Sequence, residues 1–311
     1  MNTVYYDAQV SDEIRRKLLY KGQLFVYSPR PSSLAFCEFA RDLIQEAFGS
    51  IDAEMAQHSM PVEDYAAILN KLKPHFIHHP RSKQFLQAIF KEIGCDLDKT
   101  YTDVPKMRSS TSGGYLTSGI AYAWHPHRDT WYSAPDCQIN WWMPICEIES
   151  ENAMAFHPAY WGKAIRNDSS TYNYYEHNQR RATTGQHLKE DPRPLPKATE
   201  DIEIEPQLRL ICPVGGIIIF SGAQLHSSVP NVSGKTRFSI DVRTVNLDDV
   251  IAKRGAPNVD AECTGTTMRD YFRCSDFSHI PDDIVSLYDD GTELGEGVEL
   301  VYRPSNVDDR A

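Results

Sequence analysis

The residues best suited to chemistry lie in one octapeptide, Trp124-His125-Pro126-His127-Arg128-Asp129-Thr130-Trp131. It ends a run, Tyr115 to Ala123, whose aromatic and β-branched content reads as a strand. Side chains alternate faces along a strand, so His127 and Asp129 project to one side, and His125 can join them. An imidazole and a carboxylate so placed can hold a metal, although a structural histidine bonded to a carboxylate has the same spacing. Ninety-nine residues after His127, a glycine-led apolar strand, Gly215-Gly216-Ile217-Ile218-Ile219-Phe220, leads through a turn to Leu225-His226-Ser227-Ser228. Arg237-Phe238-Ser239 begins eleven residues past His226. Two imidazoles and one carboxylate fill one face of an octahedral ion and leave three positions open. The guanidinium of Arg237 is a planar fork that pairs bidentately with a carboxylate, at a reach suited to a short dicarboxylate beside the metal.

That donor set is the one used by non-haem Fe(II) oxygenases. His-Arg-Asp, a distal His, and Arg eleven residues later resemble the 2-oxoglutarate-dependent Fe(II) oxygenases, and among them the phytanoyl-CoA dioxygenase family, over about Tyr115 to Thr244. Gln138-Ile139-Asn140-Trp141-Trp142-Met143-Pro144 stands where that family has the strand after its metal motif. Glu151-Asn152-Ala153-Met154-Ala155-Phe156-His157-Pro158 resembles its Asn-Gly-x-Leu-x-x-x-Pro-Gly segment, with Ala153 in place of Gly and Ala159-Tyr160-Trp161 in place of Gly-Ser-His. The resemblance implies that His127, Asp129 and His226 are the ligands of Fe(II). It also implies that Arg237 grips the distal carboxylate of 2-oxoglutarate, with Ser228 and Trp142 enclosing the cosubstrate. Ser239 shares a strand face with Arg237 and is the alternative hydroxyl partner. The implied reaction consumes O2 and 2-oxoglutarate and releases succinate and CO2. Halogenating relatives have Gly or Ala at the acidic position, whereas Asp129 fills it here, so hydroxylation or another oxidation of the substrate is expected.

The elements that must position these residues fall into a mainly β fold with flanking helices and a double-stranded β-helix (jelly-roll) core. One domain, 1–311, is expected, with 1–110 a mostly helical scaffold, 111–250 the jelly-roll core, and 251–311 a C-terminal extension. In the scaffold, Ser11 is a plausible cap for a helix over Asp12 to Tyr20. Phe36, Phe39, Ala40, Leu43, Ile44 and Ala47 recur at helical spacing up to Gly49, and further helices are predicted over Val62 to Leu72 and Arg81 to Ile93. Strands are predicted at Gln23 to Tyr27, Gln138 to Ile145, Ala153 to His157, Gln207 to Cys212, Gly216 to Ser221 and Arg237 to Val245.

A polar insertion at about 162–205 interrupts the strands and reads as a substrate lid or a mobile excursion. From Gly162 to Lys197 it carries seven basic and four acidic residues, a local +3 in a chain of −11. Arg180 and Arg181 in it are candidate contacts for an anionic substrate. Three further substrate contacts are expected. Trp131 lies two past Asp129. Asn140 shares a face with Gln138 and Trp142, which points either to the pocket or to solvent while Ile139, Trp141 and Met143 fill the core. His157 follows Met154-Ala155-Phe156 and either lines the pocket or is a satisfied strand histidine.

The charge of −11 over 311 residues, without a basic stripe, argues against nucleic acid and anionic membranes as partners. The most apolar stretch, Leu210 to Phe220, is broken by Pro213, Gly215 and Gly216 and falls short of the roughly 20 residues that span a bilayer. Seven cysteines without a CxxC pair read as reduced thiols. A cytoplasmic enzyme acting on a small molecule is expected; nothing in the sequence fixes its oligomeric state. The competing reading, a cupin-like metal-binding jelly-roll protein or isomerase, needs the histidines and Asp129 but has no use for Arg237.

Overall fold

Period-two sequence becomes strand and period-3.6 sequence becomes helix in a computed structural model that describes residues 3–117, 125–179 and 195–289. The strands are β1 (Val4–Tyr6), β2 (Leu24–Tyr27), β3 (Thr100–Thr102), β4 (Lys106–Ser110), β5 (Ile139–Pro144), β6 (Met154–Phe156), β7 (Leu208–Leu210), β8 (Ile217–Ser221), β9 (His226–Ser228), β10 (Arg237–Asn246) and β11 (Phe272–Arg273). The helices are α1 (Asp12–Leu19), α2 (Pro31–Phe48), α3 (Val62–His78), α4 (Pro80–Glu92), α5 (Tyr174–Gln179), α6 (Leu247–Ile251) and α7 (Asp282–Val285). The Ser11 hydroxyl caps α1 by accepting from the Ile14 amide at 3.3 Å. Helix α3 runs through Pro74 to His78, beyond the Leu72 where the sequence pattern stops.

A large open sheet has the order β1-β2-β8-β5-β10-β3-β11, with β4 also paired to β10, and a small sheet has the order β7-β6-β9. From β5 to β10 the chain passes large, small, small, large, small, large, the crossing pattern of a jelly roll. Four strands of the large sheet come from the first 110 residues, otherwise helical. Strand alternation gives the large sheet two unlike faces. On the outer one, Ile139, Trp141, Met143, Ile217, Ile219, Phe238 and Ile240 pack with Phe36, Leu69, Phe76, Leu86 and Phe90 of the helices. On the inner one, Trp142, Ile218 and Phe220 meet Met154 and Phe156 of the small sheet.

The ends of the insertion are built onto the rest of the chain. Asn167 bridges Ala198, the Thr199 amide donates to the Arg166 carbonyl at 2.8 Å, and Asn173 bridges Thr264. Arg180 and Arg181 lie outside the described residues, as does most of the run Tyr115 to Ala123. Among the described residues no helix is long and apolar enough to cross a membrane.

Candidate metal centre

His127 and Asp129 do not sit on one regular strand, as their spacing predicted. His127 forms a two-way bridge with His226, each amide donating to the other's carbonyl at 3.0 Å, and Asp129 opens a 3₁₀ turn, Asp129–Tyr132. The turn is tied down by the Asp129 amide, which donates to the Gly222 carbonyl at 2.8 Å. A Cβ at Gly222 would stand 3.1 Å from Gln138 Nε2 and 3.4 Å from Asp129 Cβ, so glycine allows the close approach. His226 is the first residue of β9, opposite Phe156 of β6.

One potential ligand atom each from His127, Asp129 and His226 lies within 4.8 Å of the others, all three residues buried. His127 Nε2 is 3.5 Å and His226 Nε2 3.8 Å from Asp129 Oδ1. His127 Nδ1 is 2.7 Å from the carbonyl of His125, and His226 Nδ1 is 2.9 Å from that of Gln224. A carbonyl can only accept, so each Nδ1 carries a proton and each Nε2 is the nitrogen turned to the shared space. Burial and the neighbouring His127 push the His226 imidazole down to about 3, keeping it neutral. Burial opposes ionisation of Asp129, but the neighbouring His127 and the charge of Arg243 outweigh it and hold the carboxyl well below the usual range. Two imidazoles and one carboxylate are a donor set suited to a divalent transition metal.

The second oxygen of Asp129 is occupied. Oδ2 accepts from Gln138 Nε2 and Asn140 Nδ2, both at 2.8 Å, with Arg243 Nε 3.7 Å away. Behind the turn, fully buried Arg128 donates to the carbonyls of Ala223, Tyr160 and Lys163 and to Asp260 Oδ2. Asp260 also accepts from Trp131 Nε1 at 2.8 Å and the Ile165 amide at 3.1 Å, joining the turn at Asp129 to the insertion. Ser133, at φ 61°, is stabilised in the left-handed region by hydrogen bonds to Cys263 and Thr264.

Arg237 and Trp142 come together on the inner face. The guanidinium lies 5.5 Å from the Trp142 ring centroid, and Nη1 donates to the Asn152 carbonyl at 2.7 Å. Burial lowers Arg237 to about 10, which leaves it charged at neutral pH. Its Nε and the Ser239 hydroxyl are buried without a hydrogen-bond partner. An unpaired buried donor is costly, and a ligand carboxylate is the group that would satisfy both. Ser228 shares the His226 face of β9 and is opposite Met154.

The three residues expected to touch substrate have these surroundings. Trp131 is fully buried with Tyr160, Ile165 and Leu225, because the 3₁₀ turn breaks the alternation that would have aimed it past Asp129. His157 lies beyond the end of β6, and its nitrogens are 3.2 Å from the Ile204 carbonyl and 3.1 Å from the Ser227 hydroxyl, making it a satisfied structural histidine. Asn140 does face the inner side, but its amide is committed to Asp129 and Gln138. His125 is bonded to the Pro196 carbonyl at 2.9 Å. Sequence reasoning passed over Tyr132, whose ring stands 5.5 Å from that of His127, and the supports Gln138, Asp260 and Tyr271. Of these, only Gln138 had left a signal, its alternation with Asn140.

No family model and no curated protein matches the chain. Among solved structures, EvdO2 from Micromonospora carbonacea var. aurantiaca is similar at a TM-score of 0.43 and 11% identity, over 76% of this chain and 92% of that one. The non-heme alpha ketoglutarate dependent epimerase SnoN from nogalamycin biosynthesis is similar at 0.36 and 10% identity, over 76% and 84%. The non-heme monooxygenase ThoJ is similar at 0.36 and 12% identity, over 69% of each chain.

Proposed function

We propose that this chain is an Fe(II)- and 2-oxoglutarate-dependent oxygenase that hydroxylates a small molecule. One observation carries the reading: a buried His127-Asp129-His226 donor set shares the interior with an arginine whose Nε, like the neighbouring Ser239 hydroxyl, lacks any partner. The reading makes His127, Asp129 and His226 the iron ligands, Arg237 and Ser239 the hydrogen-bonding anchor for the distal carboxylate of 2-oxoglutarate, and Trp142 and Ser228 its walls. Bound iron would supply activation of O2 coupled to conversion of 2-oxoglutarate to succinate and CO2. The protein's part is to hold the cosubstrate in one pose and keep water out. Trp142, Phe156 and Phe220 do the second, forming a buried apolar wall that reaches the His226 ring. A cupin-like metal protein gives no account of a buried, underbonded Arg237. An anionic substrate rests on Arg180 and Arg181 and is a narrower proposal. Seven cysteines with no disulfide between them support a reducing, cytoplasmic setting. The test is succinate formation from 2-oxoglutarate with Fe(II), O2 and ascorbate: turnover above a metal-free control is expected, and its absence with metal bound would refute the reading.

A further inference from the structure

The carboxylate of Asp129 is held from one side only. Its Oδ2 takes two amide donors, from Gln138 and Asn140 at 2.8 Å, while Oδ1 is the oxygen that faces both histidine Nε2 atoms. The two amides are in turn oriented. Gln138 gives its second N–H to Asn140 Oδ1 at 2.8 Å, which turns the Asn140 NH2 toward Asp129. Gln138 Oε1 accepts from the Tyr271 hydroxyl at 2.7 Å, which turns the Gln138 NH2 the same way. Every group in the chain is buried, so reversing either amide would set like against like in a low-dielectric interior. Arg243 stands behind Oδ2 at 3.7 Å and is balanced by Asp241 and Asp103.

We propose that Tyr271, Gln138 and Asn140 form a directional relay that restricts Asp129 to one-oxygen ligation, so that the metal keeps three positions for the cosubstrate and O2. This rests on the metal reading of the site given above. A carboxylate free to rotate could offer both oxygens and occupy one of those positions; the relay prevents this by saturating Oδ2. The three are positioning residues, since none presents an atom to the metal itself. Tyr271 belongs to the segment read from sequence as a C-terminal extension, which thereby gains a part in the chemistry 133 residues upstream.

Co(II) titration of the purified full chain, followed by its visible d–d absorption, tests the relay. Asn140→Ala and Gln138→Glu should weaken Co(II) binding about 10–100-fold, the usual cost of losing a ligand's hydrogen-bond support, and should shift the absorption as the ligand number changes. Tyr271→Phe keeps the buried ring and should move affinity and spectrum in the same direction by a smaller amount. Melting curves of the apo variants confirm that each is folded before metal is added. Wild-type affinity and spectrum in folded variants would overturn the relay and leave the metal site standing. A wild-type chain that binds no Co(II) would instead overturn the metal reading beneath it.

Discussion

The two faces of β5 obey different rules. Ile139, Trp141 and Met143 look outward into an apolar layer shared with the helices, where Trp141 meets Phe90 edge-on at 5.0 Å and Nε1 donates to Thr244 at 2.8 Å. Asn140 and Trp142 look inward, one to Asp129 and the other to Arg237. The outer face is satisfied by volume and oiliness, which many residues supply. The inner face is satisfied by donors at particular points, which few do. A single strand therefore separates what holds the molecule together from what it can do.

Substitutions on either face can break that separation. The largest effect is expected at the ligands: His127→Ala, Asp129→Ala or His226→Ala should abolish Co(II) binding and 2-oxoglutarate turnover while the far-UV circular dichroism stays that of the parent. Next, Trp141→Ala on the outer face should cost about 3–5 kcal/mol of stability in denaturant melts, as expected for emptying a buried aromatic site, with Co(II) still bound by the folded fraction. Loss of metal binding without loss of stability would show that the two faces are not separate. Arg237→Ala should weaken 2-oxoglutarate binding by about 2–5 kcal/mol with Co(II) affinity retained; an unchanged 2-oxoglutarate affinity would move the anchor elsewhere, to Arg243. The smallest effect belongs to Trp131→Phe. It removes one hydrogen bond to Asp260, for about 1 kcal/mol of stability, and leaves substrate KM alone, whereas a raised KM would restore Trp131 to the pocket.

Much of the frame was legible because it is periodic. The alternation of Gln138 to Ile145 and of Arg237 to Val245 marks β5 and β10 to within a residue or two, and it places Arg237 and Ser239 on one face. The donors themselves were legible because few residue types can fill those roles. What resisted reading was aperiodic. A 3₁₀ turn at Asp129 redirects Trp131, and β6 stops one residue short of His157. The helix predicted to end at Leu72 continues through Pro74 to His78, where burial of Phe76 offsets the one lost backbone donor. Asp260 and Tyr271 left no trace at all, because a lone polar residue carries no signal of a partner some 130 positions away.

The partnership of Arg128 with Asp260 also sets an order of events during synthesis. The turn at Asp129 leaves the ribosome 132 residues ahead of its brace, an interval on the order of ten seconds at typical elongation rates. Throughout that interval Arg128 is without Asp260, and Gln138 is without Tyr271. On the proposed reading, uptake of an ion would be a late step, one that in refolding should lag behind the circular dichroism signal of the helices. A nascent chain halted just before residue 260 would already carry His127, Asp129 and His226, but neither the carboxylate that braces their turn nor the hydroxyl that orients Gln138.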